Sequence, residues 1–198
     1  MKSRFLLLSV MVCGSASFLS AGSYSYTALV DGSSTWNRPV ENGVDAPVSL
    51  SLTTLNAGYH AQSIVVDTNG AYSFESDYSG TFWDNYTFLF ESAFDANAPL
   101  ANILIGNDDG LSGPGNSGFV YNLVAGVTYF FVTTGYSDSD LGTATNVVSG
   151  PGFVGEAPEP ATFLIGAAGL GLLALGKKLK QQVSTKSLFR PTIQREDK

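Results

Sequence analysis

Cysteine and histidine are almost absent from this chain, which has one of each, Cys13 and His60. Cys13 lies in an N-terminal segment expected to be removed. What remains has no thiol and no disulfide, so its core, alone or with bound ions, must hold it together. A lone histidine excludes the common zinc sites, which need several His or Cys ligands. Nucleophilic catalysis needs a base beside the nucleophile, and the chain has no Gly-x-Ser-x-Gly elbow to go with its single imidazole. His60 follows Tyr59 in a polar stretch and reads as structural or surface.

Charge is scarce as well, at 14% of 198 residues, and positive charge is nearly missing from the middle of the chain. Residues 22–160 carry 15 Asp and Glu against one base, Arg38. That balance excludes nucleic acid as a partner, because phosphates would be repelled. The bases are at the ends: Lys2 and Arg4 at the start, and seven Lys and Arg in residues 177–198. A compact domain does not need such a partition. A membrane does, because basic flanks stay in the cytoplasm while acidic segments are translocated.

Both ends read as targeting segments. In residues 1–22, Lys2 and Arg4 precede the apolar run Phe5–Val12, and small residues follow (Gly14, Ser15, Ala16, Ser20, Ala21, Gly22). This is the pattern of a secretory signal peptide. A lipoprotein signal acylated at Cys13 fits less well, because Val12 is bulkier than the small residue such signals carry before the cysteine. At the other end, Ala157-Pro158-Glu159-Pro160 precedes the charge-free run 161–176, and Lys177, Lys178 and Lys180 follow. As a helix, the run covers about 24 Å, and flanking lysines can snorkel to close part of the gap to a bilayer core of roughly 30 Å. The run is apolar on every face and stops at a lysine cluster, which favours a transmembrane helix over a buried core helix.

Pro-Glu-Pro, a short Gly/Ala/Leu-rich span and a basic cluster, in that order, resemble the PEP-CTERM sorting signal of Gram-negative bacteria. The resemblance falls on Pro158, Glu159 and Pro160, on residues 161–176, and on Lys177, Lys178 and Lys180. It implies recognition by a membrane protease-transferase of the exosortase type. The chain would be anchored in the inner membrane first and then delivered to the cell surface or extracellular matrix. The expected organisation is a signal peptide (1–22), an extracytoplasmic domain (23–155), a sorting signal (156–180) and a basic, disordered cytoplasmic tail (181–198).

The middle shows no helical periodicity. Short runs rich in Val, Ile, Tyr, Phe and Thr are bounded by Gly, Asp, Asn and Pro. Candidate strands are 23–30, 48–52, 61–66, 71–75, 85–90, 100–105, 118–123, 127–134 and 146–149. Asp67-Thr68-Asn69-Gly70 predicts a turn joining two strands as a hairpin, and Ala125-Gly126 predicts another tight turn. Both faces of 127–134 hold aromatics or Val, so that strand should be central. The expected fold class is all-β, a jelly-roll-like β-sandwich. Thr35-Trp36-Asn37-Arg38-Pro39, Asn85–Phe90, Asn107-Asp108-Asp109-Gly110, Ser117-Gly118-Phe119, Leu123–Tyr129 and Ser149-Gly150-Pro151-Gly152 resemble a domain recurrent in PEP-CTERM proteins. More distantly they are similar to bacterial pre-peptidase C-terminal domains. That resemblance implies a jelly-roll sandwich in which some members bind calcium or matrix polymers.

The acids are too numerous for any one pair to announce glycoside hydrolysis. One group stands out: Asn107, Asp108 and Asp109 with Asp138 and Asp140, joined by Asp84. Calcium takes six to eight oxygen ligands from such loops, so these six residues are the candidate metal site; the bland reading is a solvated acidic loop. Gly113-Pro114-Gly115-Asn116-Ser117-Gly118 matches G-x-G-x-x-G in letters, but an acidic turn precedes it and a strand is predicted after it, so it reads as a loop. The expected function is a non-catalytic exported surface or matrix protein. The alternative is a carbohydrate- or exopolysaccharide-binding module in which exposed Trp36, Trp83 and Tyr86 stack on sugar rings. A hydrolase is the third reading.

Overall fold

The computed structural model describes residues 21–41, 43–110 and 113–158. These residues form twelve strands and no helix: β1 (Gly22–Val30), β2 (Thr35–Trp36), β3 (Pro39–Val40), β4 (Ser49–Leu50), β5 (Ala57–Val66), β6 (Gly70–Ser79), β7 (Asn85–Glu91), β8 (Ile103–Asn107), β9 (Asn116–Leu123), β10 (Thr128–Gly135), β11 (Gly142–Gly150) and β12 (Val154–Glu156). Residues 1–20 of the expected signal peptide and the whole expected membrane span lie outside the described residues, and Gly22, the last residue of the expected signal, begins β1. No helix among the described residues is long and apolar enough to cross a membrane.

Two antiparallel sheets form a sandwich. The first has the order β1-β11-β6-β9 and the second β12-β5-β10-β7-β8, with β2 added to one end of β5. Alternating apolar residues from both sheets meet between them: Tyr72, Phe74, Phe119 and Val148 from the first, and Ile64, Leu89, Ile105 and Phe131 from the second. β10 lies between β5 and β7, and both of its faces are covered: Tyr129 and Phe131 pack in the core between the sheets, and Phe130 and Val132 pack in a second cluster with Trp36. The same is true of β7. Leu89 faces the other sheet, whereas Tyr86, Phe88 and Phe90 lie in a separate cluster with Trp36, Val132 and Phe94. A third small cluster joins Val30, Trp83 and Ala144. Here Gly142 is required, because a Cβ would lie 2.3 Å from the Trp83 ring.

The expected hairpin at Asp67–Gly70 is not one. The turn is present, but β5 and β6 belong to different sheets, so the chain arches from one sheet to the other. The turn side chains bond to neighbouring arches instead of closing a hairpin. Asp67 Oδ1 accepts from the Phe153 N–H (2.8 Å), and Asn69 Oδ1 accepts from the Ala125 N–H (2.7 Å). Ala125-Gly126 makes a second such arch, from β9 to β10, with Gly126 at φ +77°.

The sandwich interior has a polar layer. In register, Tyr26, Asn146, Ser76 and Ser117 cross the first sheet. Opposite them, His60, Thr133, Thr87 and Asn107 cross the second. Three pairs meet face to face. The Tyr26 and His60 rings lie 6.0 Å apart, Asn146 Nδ2 donates to Thr133 Oγ1 (2.7 Å), and the Thr87 and Ser117 hydroxyls are hydrogen-bonded. Burial without a partner costs such a group about 1–3 kcal/mol, and although His60 Nε2 and Asn146 Oδ1 have none, the bonds that are made favour one register of the two sheets.

Candidate functional site: an acidic cluster at one end of the sandwich

Three of the six candidate metal residues come together. Carboxylate oxygens of Asp84, Asp108 and Asp109 all lie within 4.8 Å of one another. Asp84 enters from the turn before β7, and Asp108 and Asp109 directly follow β8, the neighbour of β7. Gly115 closes the site from the glycine-rich loop: its N–H donates to Asp84 Oδ1 (3.1 Å) from a left-handed conformation, φ +86°. That loop leads into strand β9, so the G-x-G-x-x-G letters have no helix behind them.

The other three candidates are placed differently. Asp140 acts on Asp84 through space, but its Oδ2 is engaged by the Ser137 N–H (2.8 Å) and hydroxyl (2.6 Å). Asp138 Oδ1 accepts from the Asn56 N–H (3.0 Å) and is not part of the three-carboxylate group. The Asn107 amide nitrogen donates to the carbonyls of Asp109 (2.9 Å) and Gly118 (2.6 Å), tying the acidic loop to β9. The Ser137–Asp140 and Asn107–Asp109 bonds are the local kind that Asp and Asn make in turns, while Asn56–Asp138 and Asn107–Gly118 join distant segments; all of them hold side chains that a metal would have to recruit. Pro158 is the last described residue. Glu159, Pro160, Lys177, Lys178 and Lys180 lie outside the described residues.

Two residues join the site from far away in sequence. Glu41 Oε2 and Asp108 Oδ1 are both shielded from solvent without a hydrogen-bond partner. Arg38 is buried and donates to the carbonyls of Tyr136 (3.0 and 2.8 Å) and Pro39 (3.0 Å), with its guanidinium 4.2 Å above the Tyr86 ring. Its charge therefore reaches the acids through space. Burial and the nearby charges of Asp109 and Asp84 push the Asp108 carboxyl up to about 7, with Arg38 only partly opposing. Burial, Asp140 and Asp109 likewise raise Asp84, and burial raises Glu41. The group is a set of hard oxygen donors whose mutual repulsion a proton or a divalent cation would relieve. Three carboxylates are fewer than calcium's six to eight ligands, so carbonyls or water would have to supply the rest.

The three aromatics expected to stack on sugar rings are in the core instead. Trp36, Trp83 and Tyr86 are each only 3% exposed and fill the clusters described above. Trp36 Nε1 donates to Thr134 Oγ1 (2.9 Å) and Trp83 Nε1 to the Thr143 carbonyl (2.9 Å), so both indoles are satisfied inside the fold. None of the three presents a ring to a sugar.

No protein family and no curated protein matches this chain. Among solved structures it is similar to CBM35 from Cellvibrio japonicus Abf62, with a TM-score of 0.35 and 12% identity, over 68% of this chain and 99% of that one. A likeness this distant assigns no ligand.

Proposed function

We propose that this chain is a non-catalytic surface or matrix protein, exported by an N-terminal signal and sorted by a C-terminal PEP-CTERM signal. The observation that carries the reading is the fit between fold and charge. The strands run from Gly22 to Glu156, directly between the two segments read as export and sorting signals, and they enclose the strongly acidic part of the chain. In this reading the sandwich is a jelly roll. Its eight long strands, β1 and β5–β11, are dealt to the two sheets as β1-β11-β6-β9 and β5-β10-β7-β8, with every step of the chain crossing between sheets except β7 to β8. The domain is a spacer or polymer-contacting module outside the inner membrane. An exosortase-type enzyme processes the anchor.

The test is the mass and location of the mature protein in its native host. Surface-located protein lacking both the N-terminal segment and residues 177–198 supports the reading. Full-length protein in the cytoplasm sinks it.

A further inference from the structure

Apart from Leu29 at one end, the outward face of the first sheet is built mostly from short side chains. In register, its rows are Ser23–Ser149–Ser73–Val120, Ser25–Val147–Glu75–Gly118 and Thr27–Thr145–Asp77–Asn116. This face has no aromatic ring and no base, and its two carboxylates, Glu75 and Asp77, stand side by side on β6. Beside them the face sinks into an open groove of about 370 Å³ between β6 and β9, floored by Gly118 and bounded by Ser73, Asn116, Val120 and Gly110. That volume lies within the usual range for a small-molecule site, about 300–1,000 Å³.

The depression has a cause in the sequence. Gly118 pairs with Glu75, and a Cβ on Gly118 would lie 2.6 Å from the Phe74 carbonyl oxygen, so only glycine lets the strands approach there. The position opposite Glu75 is therefore left without a side chain. Two hydrogen bonds from neighbours on the same face orient the carboxylates. Ser73 Oγ donates to Glu75 Oε1 (3.1 Å), and Asn116 Nδ2 donates to Asp77 Oδ1 (2.7 Å). Each acid keeps its second oxygen with no hydrogen-bond partner among the described residues. Alternate residues of a strand are about 6.6 Å apart, so these two acceptors span roughly the width of a sugar ring.

We propose that this groove binds neutral glycan, a sugar unit seated on Gly118 with its hydroxyls donating to Glu75 and Asp77. Charge-assisted hydrogen bonds from hydroxyl to carboxylate are shorter and stronger than neutral ones. The same two carboxylates, with no base in the lining, repel uronates, phosphates and sulfates. The flat Ser/Thr rows of β1 and β11 continue the surface, so an extended polymer can lie across it. The site rests on the reading of this domain as a polymer-contacting module, and it replaces the buried tryptophans as the place of contact.

The test uses the domain within the full exported chain, probed on an array of neutral, amino and acidic oligosaccharides, with titration calorimetry on any neutral ligand found. Neutral sugars bind, Glu75→Gln and Asp77→Asn each weaken binding about tenfold, and Asp95→Asn, at an exposed position after β7 of the other sheet, leaves it unchanged. Both groove acids are at the surface, so an unshifted melting temperature shows that the variants fold. Binding to acidic sugars alone, to no sugar, or with undiminished affinity in both variants overturns the proposal. Those outcomes leave the export and sorting reading intact, since that is decided by location and mass.

Discussion

Asp108 is a carboxyl that the fold holds against its own charge. With its pKa pushed up to about 7 in the native state, well above the ordinary carboxylate range, the folded protein binds a proton more tightly than the unfolded one. Stability from this group is fully present below about pH 4 and is lost as pH rises through 7. Asp84 and Glu41 shift in the same direction, and Arg38 opposes all three. His60, whose pKa burial lowers, acts with the opposite sign, adding stability as pH rises towards its usual 6.5. In chelator, therefore, the melting temperature should fall between pH 6.5 and 8, and Asp108→Asn should remove most of that fall. For a half-exposed carboxyl the effect is about 1 kcal/mol after allowing for solvent screening, or a few degrees. A flat profile in the wild type would show that the acids do not repel. Repeating the scan with calcium tests the calcium expectation: occupancy raises the midpoint, flattens the profile and is abolished by Asp109→Ala. An unchanged midpoint leaves a solvated acidic loop. The sequence showed Asp84, Asp108 and Asp109 as candidates because acids clustered near turns are visible in one dimension. Glu41 and Arg38 were invisible as members, because what brings them there is the path of the chain between β3 and β7.

At the scale of elements, strand existence was legible and strand pairing was not. Tyr86, Phe88 and Phe90 alternate with Asn85, Thr87 and Leu89, and that period of two marks a strand whichever way it faces. Nothing in the period says that the three aromatics face away from the other sheet, against Trp36 and Phe94, while Asn85 and Thr87 turn inward. Likewise Asp67–Gly70 carries turn chemistry that serves a hairpin and an arch equally well. The choice between them is made by β10 pairing with β5, more than 60 residues away. The polar layer is the consequence that is easiest to test. Thr133→Val keeps the volume but removes one of the two oxygens that accept from Asn146 Nδ2, leaving only the Tyr26 hydroxyl. It should cost about 1–2 kcal/mol by denaturant unfolding, more than a surface Thr→Val such as Thr145→Val. Equal effects at the two positions would mean that the layer tolerates the loss of that bond and does not hold the sheets in register.

For the whole molecule the decisive feature is the order of charges along the chain: two bases at the start, an acidic domain, then Pro-Glu-Pro, an apolar run and a basic tail. Pro158 and Pro160 donate no backbone hydrogen bond, and each biases the preceding residue towards an extended shape. Glu159 is thereby expected in an extended stretch between the domain, whose last strand ends at Glu156, and the apolar run. In the proposed topology, lysines behind the run would stop transfer and set its depth. An extended peptide with one charge at a fixed depth is a substrate that a membrane-embedded protease can read, whereas a mere linker would tolerate any stiff, polar sequence. The two roles separate on substitution. Under sorting, wild-type protein loses its C-terminal tail and reaches the surface, while Glu159→Ala accumulates at full length in the inner membrane. As a linker, both proteins keep residues 177–198 and stay in the membrane. Intact-mass measurement of each, purified from the native host by fractionation, distinguishes the outcomes. Wild-type protein that still carries its tail would leave an anchored module and no sorting step.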